Sequence, residues 1–446
     1  MTFQTIRRFF YEIHLWLGIA SGILVFTICL SGVVLLFQDD VRRLAEPGRY
    51  YVQIPEGASP QPIDSVVESI EKEHHIRLLS VTIPEKANRT WKITLTKGKG
   101  PQYGTGSAQG GLGLGGREKQ GQTGQSPGKG PGRDANQKDF YVDPYTGKTV
   151  GEGGNVVDPF FRSMMLLHRF LWLPQNIGRP VVGVATLVFV VIVLSGFVLW
   201  LPKSWAGFAK WKSWKIGLFV RIRKGFWRFI YDIHNTVGFY MLIPVLLMAL
   251  TGLCWSFEWY RNGASQLLGD QVFKQRMLIP AKIEPNTEKN RPLSVGEIVA
   301  LQMERTPNCG DITVRMPVDP TDAVIVQMGK TGFFTVNAKD KTEWDRFRGE
   351  VVPVKQNGKT VDVERFADKP FGAKIASLIK PIHLGDVTGM SSKILFFIAC
   401  VFAASFPVTG AMMWIKKLQT KRKKAEQLGR LLRTFTRFGP ETRIHD

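Results

Sequence analysis

Seven histidines occur in this 446-residue chain. Four of them, His14, His168, His234 and His383, fall at matched positions of an internal duplication, beside or within long apolar runs. An ionisable side chain in such a place is a functional hypothesis by default, because hydrocarbon does not solvate it. Neutral imidazole is a good ligand for iron, and two imidazoles from facing helices can fill both axial positions of a haem. No Cys-x-x-Cys-His occurs, so such a haem would be non-covalent, haem b. Gly18, Gly22 and Gly238 leave the backbone open to a flat macrocycle. Other readings stay open at this point. A lone histidine at a helix end is commonly an interfacial, hydrogen-bonded residue, and the pairs Glu12/His14 and Asp232/His234 are also suited to a proton relay. A metal without haem is less suited, since no pair has i, i+3 or i, i+4 ligand spacing.

The elements that must position these histidines are written twice. Arg8 to Phe37 reads RFFYEIHLWLGIASGILVFTICLSGVVLLF, and about 220 residues later Arg228 to Phe257 reads RFIYDIHNTVGFYMLIPVLLMALTGLCWSF. Tyr-acid-Ile-His opens both, and Ser31-Gly32 matches Thr251-Gly252. A second pair of runs, about Val181 to Leu201 and Ile394 to Ile415, matches through Ser195-Gly196 with Trp200 and Thr409-Gly410 with Trp414. Each run has roughly the 20 apolar residues that cross a ~30 Å hydrocarbon core as a helix. Pro244 predicts a kink in the third. The expected fold is therefore a membrane protein of four transmembrane helices, built as helix, outer α+β domain, helix, twice over.

Charge fixes the expected orientation. The formal net charge is +22, and the basic residues cluster at Arg7 and Arg8, at Lys203 to Arg228 without a single acid, and at Lys416 to Arg443. All three clusters lie beside apolar runs, which the positive-inside rule explains and which excludes nucleic acid as the partner. Both termini and the central loop are then cytoplasmic, with Trp205, Trp211 and Trp214 as an interfacial belt. His14 and His234 lie at the inner level and His168 and His383 at the outer, so two haems are expected, one per leaflet. Arg8 and Arg228, with Arg7, are candidate propionate partners inside, and Arg169 and Arg179 outside.

The boundaries follow. The first helix occupies 1–38 and the first outer domain 39–160, with a Gly-rich insert at 97–133; an outer interfacial segment and second helix occupy 161–202. The basic loop is 203–228, the third helix 229–260, the second outer domain 261–374, the last interfacial segment and helix 375–415, and the basic tail 416–446. Within the outer domains, Ile63 to His75 and Val295 to Arg305 have helical periodicity. Strands are expected at Val81 to Ile83, Trp91 to Leu95, Phe140 to Val142, Ile312 to Met316, Ala323 to Met328 and Phe333 to Val336. The insert contains a Gly-x-Gly-x-x-Gly match at 111–116, but no strand precedes it and no helix follows, so it reads as a loop and not a dinucleotide site. Four scattered cysteines offer neither a disulfide framework nor a thiolate site. The apolar run behind the basic N-terminus is too long for a signal peptide and lacks a small-residue cleavage site, so it reads as an uncleaved helix.

The Tyr-x-x-His openings, the Ser/Thr-Gly helix endings, the Trp200-Leu-Pro-Lys exit and the run Tyr141-Val-Asp-Pro-Tyr-Thr-Gly together resemble the PepSY-associated transmembrane proteins, often called iron-regulated membrane proteins. The resemblance runs from about Arg7 to Lys417. It implies two helix–PepSY–helix repeats in the bacterial inner membrane, with periplasmic PepSY domains and His14, His168, His234 and His383 as haem ligands. It also implies an oxidoreductase that reduces a ferric siderophore or other ferric chelate. No nucleotide or flavin motif is present, so electrons would come from a cytoplasmic flavoprotein or ferredoxin, or from a quinol. Two alternatives belong to other classes: a non-enzymatic PepSY scaffold that binds proteins, and a proton-coupled transporter.

Overall fold

The computed structural model describes residues 3–97, 137–274, 279–284, 291–307, 309–329 and 338–437. All of the Gly-rich insert but Lys97, the Gly-x-Gly-x-x-Gly match and the strand expected at Phe333 to Val336 lie outside the described residues. The chain divides into two compact units, one of Met1–Leu36, Met164–Phe257 and Ile394–Asp446, the other of Phe37–Ser163 and Glu258–Lys393.

The first unit is helical because its segments are long and apolar, so the backbone satisfies its polar groups within each helix. Among the described residues three helices are long and apolar enough to cross a membrane: Phe3–Leu36, Gln175–Trp200 and the helix that begins at Met390. A fourth crossing exists if the bent pair Phe226–Tyr240 and Leu242–Ser256 counts as one. The axis of that pair turns by 65° at Met241. Pro244 has no N–H to give the Tyr240 carbonyl, which accounts for the expected kink. Just before the bend, Ile233–Val237 forms a single π turn, and His234 lies on it.

Arginines close two of these helices. Arg7 donates from Nη1 to the carbonyls of Val198 (3.1 Å) and Leu201 (2.7 Å) and from Nη2 to Leu199 (2.6 Å), the terminal acceptors of the second helix. Arg179 Nε donates to the carbonyls of Trp255 (2.9 Å) and Ser256 (3.0 Å) at the end of the bent one. The segment before the second helix is a separate helix, Asp158–Phe170, ended by Leu171 and Trp172 at φ of 54° and 59°. The chain folds back so tightly there that a Cβ at Gly178 would lie 2.1 Å from the Phe170 carbonyl oxygen, which demands glycine. The last helix, Met390–Arg437, runs unbroken for 48 residues and includes most of the basic tail.

The second unit holds eleven short strands among its described residues: β1 (Arg77–Ile83), β2 (Trp91–Thr96), β3 (Gln137–Val142), β4 (Thr149–Glu152), β5 (Ile312–Arg315), β6 (Val324–Met328), β7 (Asp340–Asp345), β8 (Glu350–Val351), β9 (Val354–Gln356), β10 (Lys359–Val361) and β11 (Val363–Glu364). Nine make one sheet in the order β11-β7-β6-β5-β1-β2-β3-β4, with β8 beside β7, and β9 and β10 form a separate ribbon. Alternation sets the buried face: Trp91, Ile93 and Leu95 point into the core while Lys92 and Thr94 are less buried. The helices Ile63–His74 and Val295–Arg305 cover that face with Val66, Ile70, Ile298 and Val299.

The segments expected as two outer domains thus share one sheet. They join through β1 and β5, antiparallel, with Val81 opposite Val314 and Thr82 opposite Thr313. An unpaired strand edge exposes a row of N–H and C=O groups, and each of these strands covers the other's. Asp64, in the first turn of helix Ile63–His74, accepts from Ser294 Oγ (2.8 Å) and the Gly296 N–H (2.9 Å), and so ties the two helices at their N-termini. The Asp143-Pro-Tyr-Thr-Gly run is a turn. Asp143 accepts from the Tyr145 N–H and the Thr146 hydroxyl, each at 2.9 Å, and Gly147 takes φ of 69°.

Candidate functional site: anchored histidines on apolar helices

His14 lies on the first helix and His234 on the π turn of the bent one, and their rings face each other with centroids 6.0 Å apart and planes at 84°. Aromatic rings commonly pack edge to face at about 4.5–7 Å, and two imidazoles this close are also near enough to share a metal ion. Each ring is anchored at Nδ1 to a different neighbouring helix. His14 Nδ1 lies 3.0 Å from the Ile192 carbonyl and 3.0 Å from Ser195 Oγ. A carbonyl oxygen only accepts, so Nδ1 carries the proton and Nε2 keeps its lone pair. His234 Nδ1 lies 2.9 Å from Thr409 Oγ1. Neither Nε2 has a hydrogen-bond partner among the described residues.

His168 is held in the same manner. Its Nδ1 donates to the Ile28 carbonyl at 2.8 Å and lies 3.3 Å from Ser31 Oγ. The glycine after each anchoring hydroxyl sits under the ring. A Cβ at Gly196 would lie 3.1 Å from His14 Cε1, one at Gly32 3.2 Å from His168 Cε1, and one at Gly410 3.4 Å from His234 Cε1. Ser/Thr-Gly is therefore a seat for an imidazole on the facing helix. These hydroxyl residues were legible as repeat markers; their role was hidden because each histidine lies about 140 to 180 residues away in the chain.

The remaining sequence candidates fall in several places. His383 ends the helix Phe371–His383 of the sheet-bearing unit. Arg8 is exposed, and Arg169 stacks on Phe170 at 5.1 Å. Arg179 is engaged as the helix closure described above. Arg228 is tied to Asp232, with Nη2 2.7 Å from Oδ1. Asp232 is fully buried and also accepts from the Arg221 N–H (3.0 Å) and Nε (3.2 Å). Its charge is thus matched by two arginines, and Glu12 accepts from Trp16 Nε1 at 3.1 Å. The acids next to the two histidines in sequence have other partners in the fold. Among the glycines, a Cβ at Gly18 would meet nothing within 4 Å, whereas Gly22 and Gly238 pack against Pro407 and Phe406. His74 and His75 serve the sheet unit: His74 packs on Phe140 with centroids 4.5 Å apart, and His75 closes its helix at φ of 52°.

Long apolar helices that carry anchored imidazoles define a multi-helix membrane protein. The family model described as the PepSY-associated TM region matches residues 11–417, and the chain belongs to that family. Comparison with curated proteins gives no significant match.

Proposed function

We propose that this protein is a di-haem reductase of the bacterial inner membrane. It takes electrons from a cytoplasmic flavoprotein or ferredoxin, or from a quinol, and delivers them to a ferric siderophore or other ferric chelate in the periplasm, which releases Fe(II). The observation that carries the reading is the neighbouring pair His14 and His234, each anchored at Nδ1 with ring centroids 6.0 Å apart, which would hold the iron of a haem. A haem b bound there would supply a one-electron ferric/ferrous couple. The chain's own residues hold and orient: Ser195, Ile192 and Thr409 fix the imidazoles, and the glycines beneath them leave room for the rings. The duplication in the sequence supports the rest of the reading: a second haem on the other matched histidines, two helix–PepSY–helix repeats, both termini in the cytoplasm and PepSY domains in the periplasm. Two groups stacked across a ~30 Å core divide one long gap into shorter ones.

The test is the absorption spectrum of the detergent-purified full-length protein, oxidised and dithionite-reduced, with a haem-to-protein ratio. About two b-type haems per chain, and Fe(II) trapped by a ferrous chelator when a reduced sample meets a ferric siderophore, support the reading. A folded but colourless protein overturns it and favours the PepSY scaffold.

A further inference from the structure

The three anchored histidines are not held equally. For His14 and His168 the hydroxyl is accompanied by the carbonyl three residues before it, Ile192 for Ser195 and Ile28 for Ser31. Either carbonyl alone keeps the proton on Nδ1. Among the described residues His234, carried on the π turn, has the Thr409 hydroxyl as its hydrogen-bond partner and no carbonyl. All three hydroxyls donate to their own helix, Ser195 to Ile192 (2.8 Å), Ser31 to Ile28 (2.9 Å) and Thr409 to Phe406 (3.1 Å) and Ser405 (3.2 Å). Among the described residues Ile192 and Ile28 also bond the histidine, whereas Phe406 does not. The single hydroxyl hydrogen of Thr409 is thereby spent on its own helix, and its oxygen is left to accept from the ring.

We infer that Thr409 is the positioning residue that alone sets the tautomer of His234 and so keeps a lone pair on its Nε2. Ser195 and Ser31 only reinforce what a carbonyl already does. The use of that lone pair rests on the function proposed above; the tautomer does not. Outer partners of a metal-bound histidine are typically worth 10- to 100-fold in affinity. Loss of Thr409 should therefore cost about tenfold or more in haem retention, and loss of Ser195 much less.

The experiment uses the full-length protein in detergent, ring-15N-labelled at histidine and expressed under haem limitation, so that the NMR signals of neutral imidazole report which nitrogen is protonated. The wild type should show His234 as the Nδ1–H form. Thr409→Val should populate the Nε2–H form, Thr409→Ser should restore the wild-type pattern, and Ser195→Ala should leave His14 unchanged. An Nε2–H wild-type His234 overturns the inference without any variant, as does a Thr409→Val protein that keeps Nδ1–H. A wild type that shows the expected tautomers but never binds haem sinks the proposed function and leaves this inference standing.

Discussion

The hydroxyls of Thr82 and Thr313 meet 3.1 Å apart in the middle of the nine-stranded sheet, on strands 231 positions apart in the sequence. Around them Val81, Ile312 and Val314 are almost wholly buried. Truncation of a buried isoleucine costs about 2–5 kcal/mol, because the lost methyl groups leave a cavity. Ile312→Ala should lower the stability of the sheet unit by that amount, while Val318→Ala, on a side chain 45 % exposed, should stay within about 0.5 kcal/mol. Thermal melts of the two full-length variants in detergent decide the matter; equal shifts would show that the seam is not load-carrying.

The facing histidines predict a shared loss. His14→Ala and His234→Ala should each lower the haem content from about two to about one per chain and remove the same spectral component. Gly196→Leu, which would force atoms into a ring already 3.1 Å from the nearest Cβ position, should do the same. A pyridine haemochrome assay reads the content, and two different residual spectra from the histidine variants would disprove the pairing.

Asp232 supplies a stability prediction inside the helical unit. Removal of one partner from a buried ion pair costs roughly 3–5 kcal/mol, since the other charge is left without compensation. Arg221 and Arg228 are 36 % and 31 % exposed and can turn to water, so Asp232→Ala, which strands both, should cost less than that, about 1–3 kcal/mol. Trypsin should then cleave after Arg221 or Arg228 in folded preparations at a rate that the wild type resists.

A pH dependence arises at Glu364. Burial pushes this carboxyl up, but Lys341 and Lys369, each 3.1 Å away, outweigh it and hold it below the ordinary carboxylate value. A group whose folded value is depressed stabilises the fold above its unfolded value, and that contribution is lost as pH falls through the folded one. Melting temperature should therefore drop from mildly acidic pH downward, and Glu364→Gln should flatten that limb. A Gln variant with an unchanged acid limb would place the sensitivity elsewhere.

Much of the architecture was legible from local signals. Apolar runs announced the helices, period-two alternation announced β1, β2, β5 and β6, and Val295–Arg305 begins at the capping box of Ser294 and Glu297. The Asp143 turn was readable because its side chain bonds its own backbone. What stayed hidden depended on distant partners. The first helix begins near Phe3, within the expected 1–38, but its Arg7 meets carbonyls some 190 positions away. The β1–β5 seam joins segments with no sequence sign of contact, and β7 to β11 are too short and polar to show alternation. The four histidines stood out because the duplication repeats them; the hydroxyls that orient His14, His168 and His234 became visible only once the helices were side by side.

The unbroken last helix has an electrostatic consequence. Lys416 and Lys417 lie just past Ile415, over Trp227 and Tyr11 at 5.0 and 4.4 Å. At 1.5 Å per residue, Arg430 stands about 22 Å further along the axis. Ions screen charge within about 8 Å at physiological strength, so the two ends of this mast answer to different surroundings. Charge at the lysine end is therefore screened from charge at the arginine end, and each end meets its own counter-ions and partners.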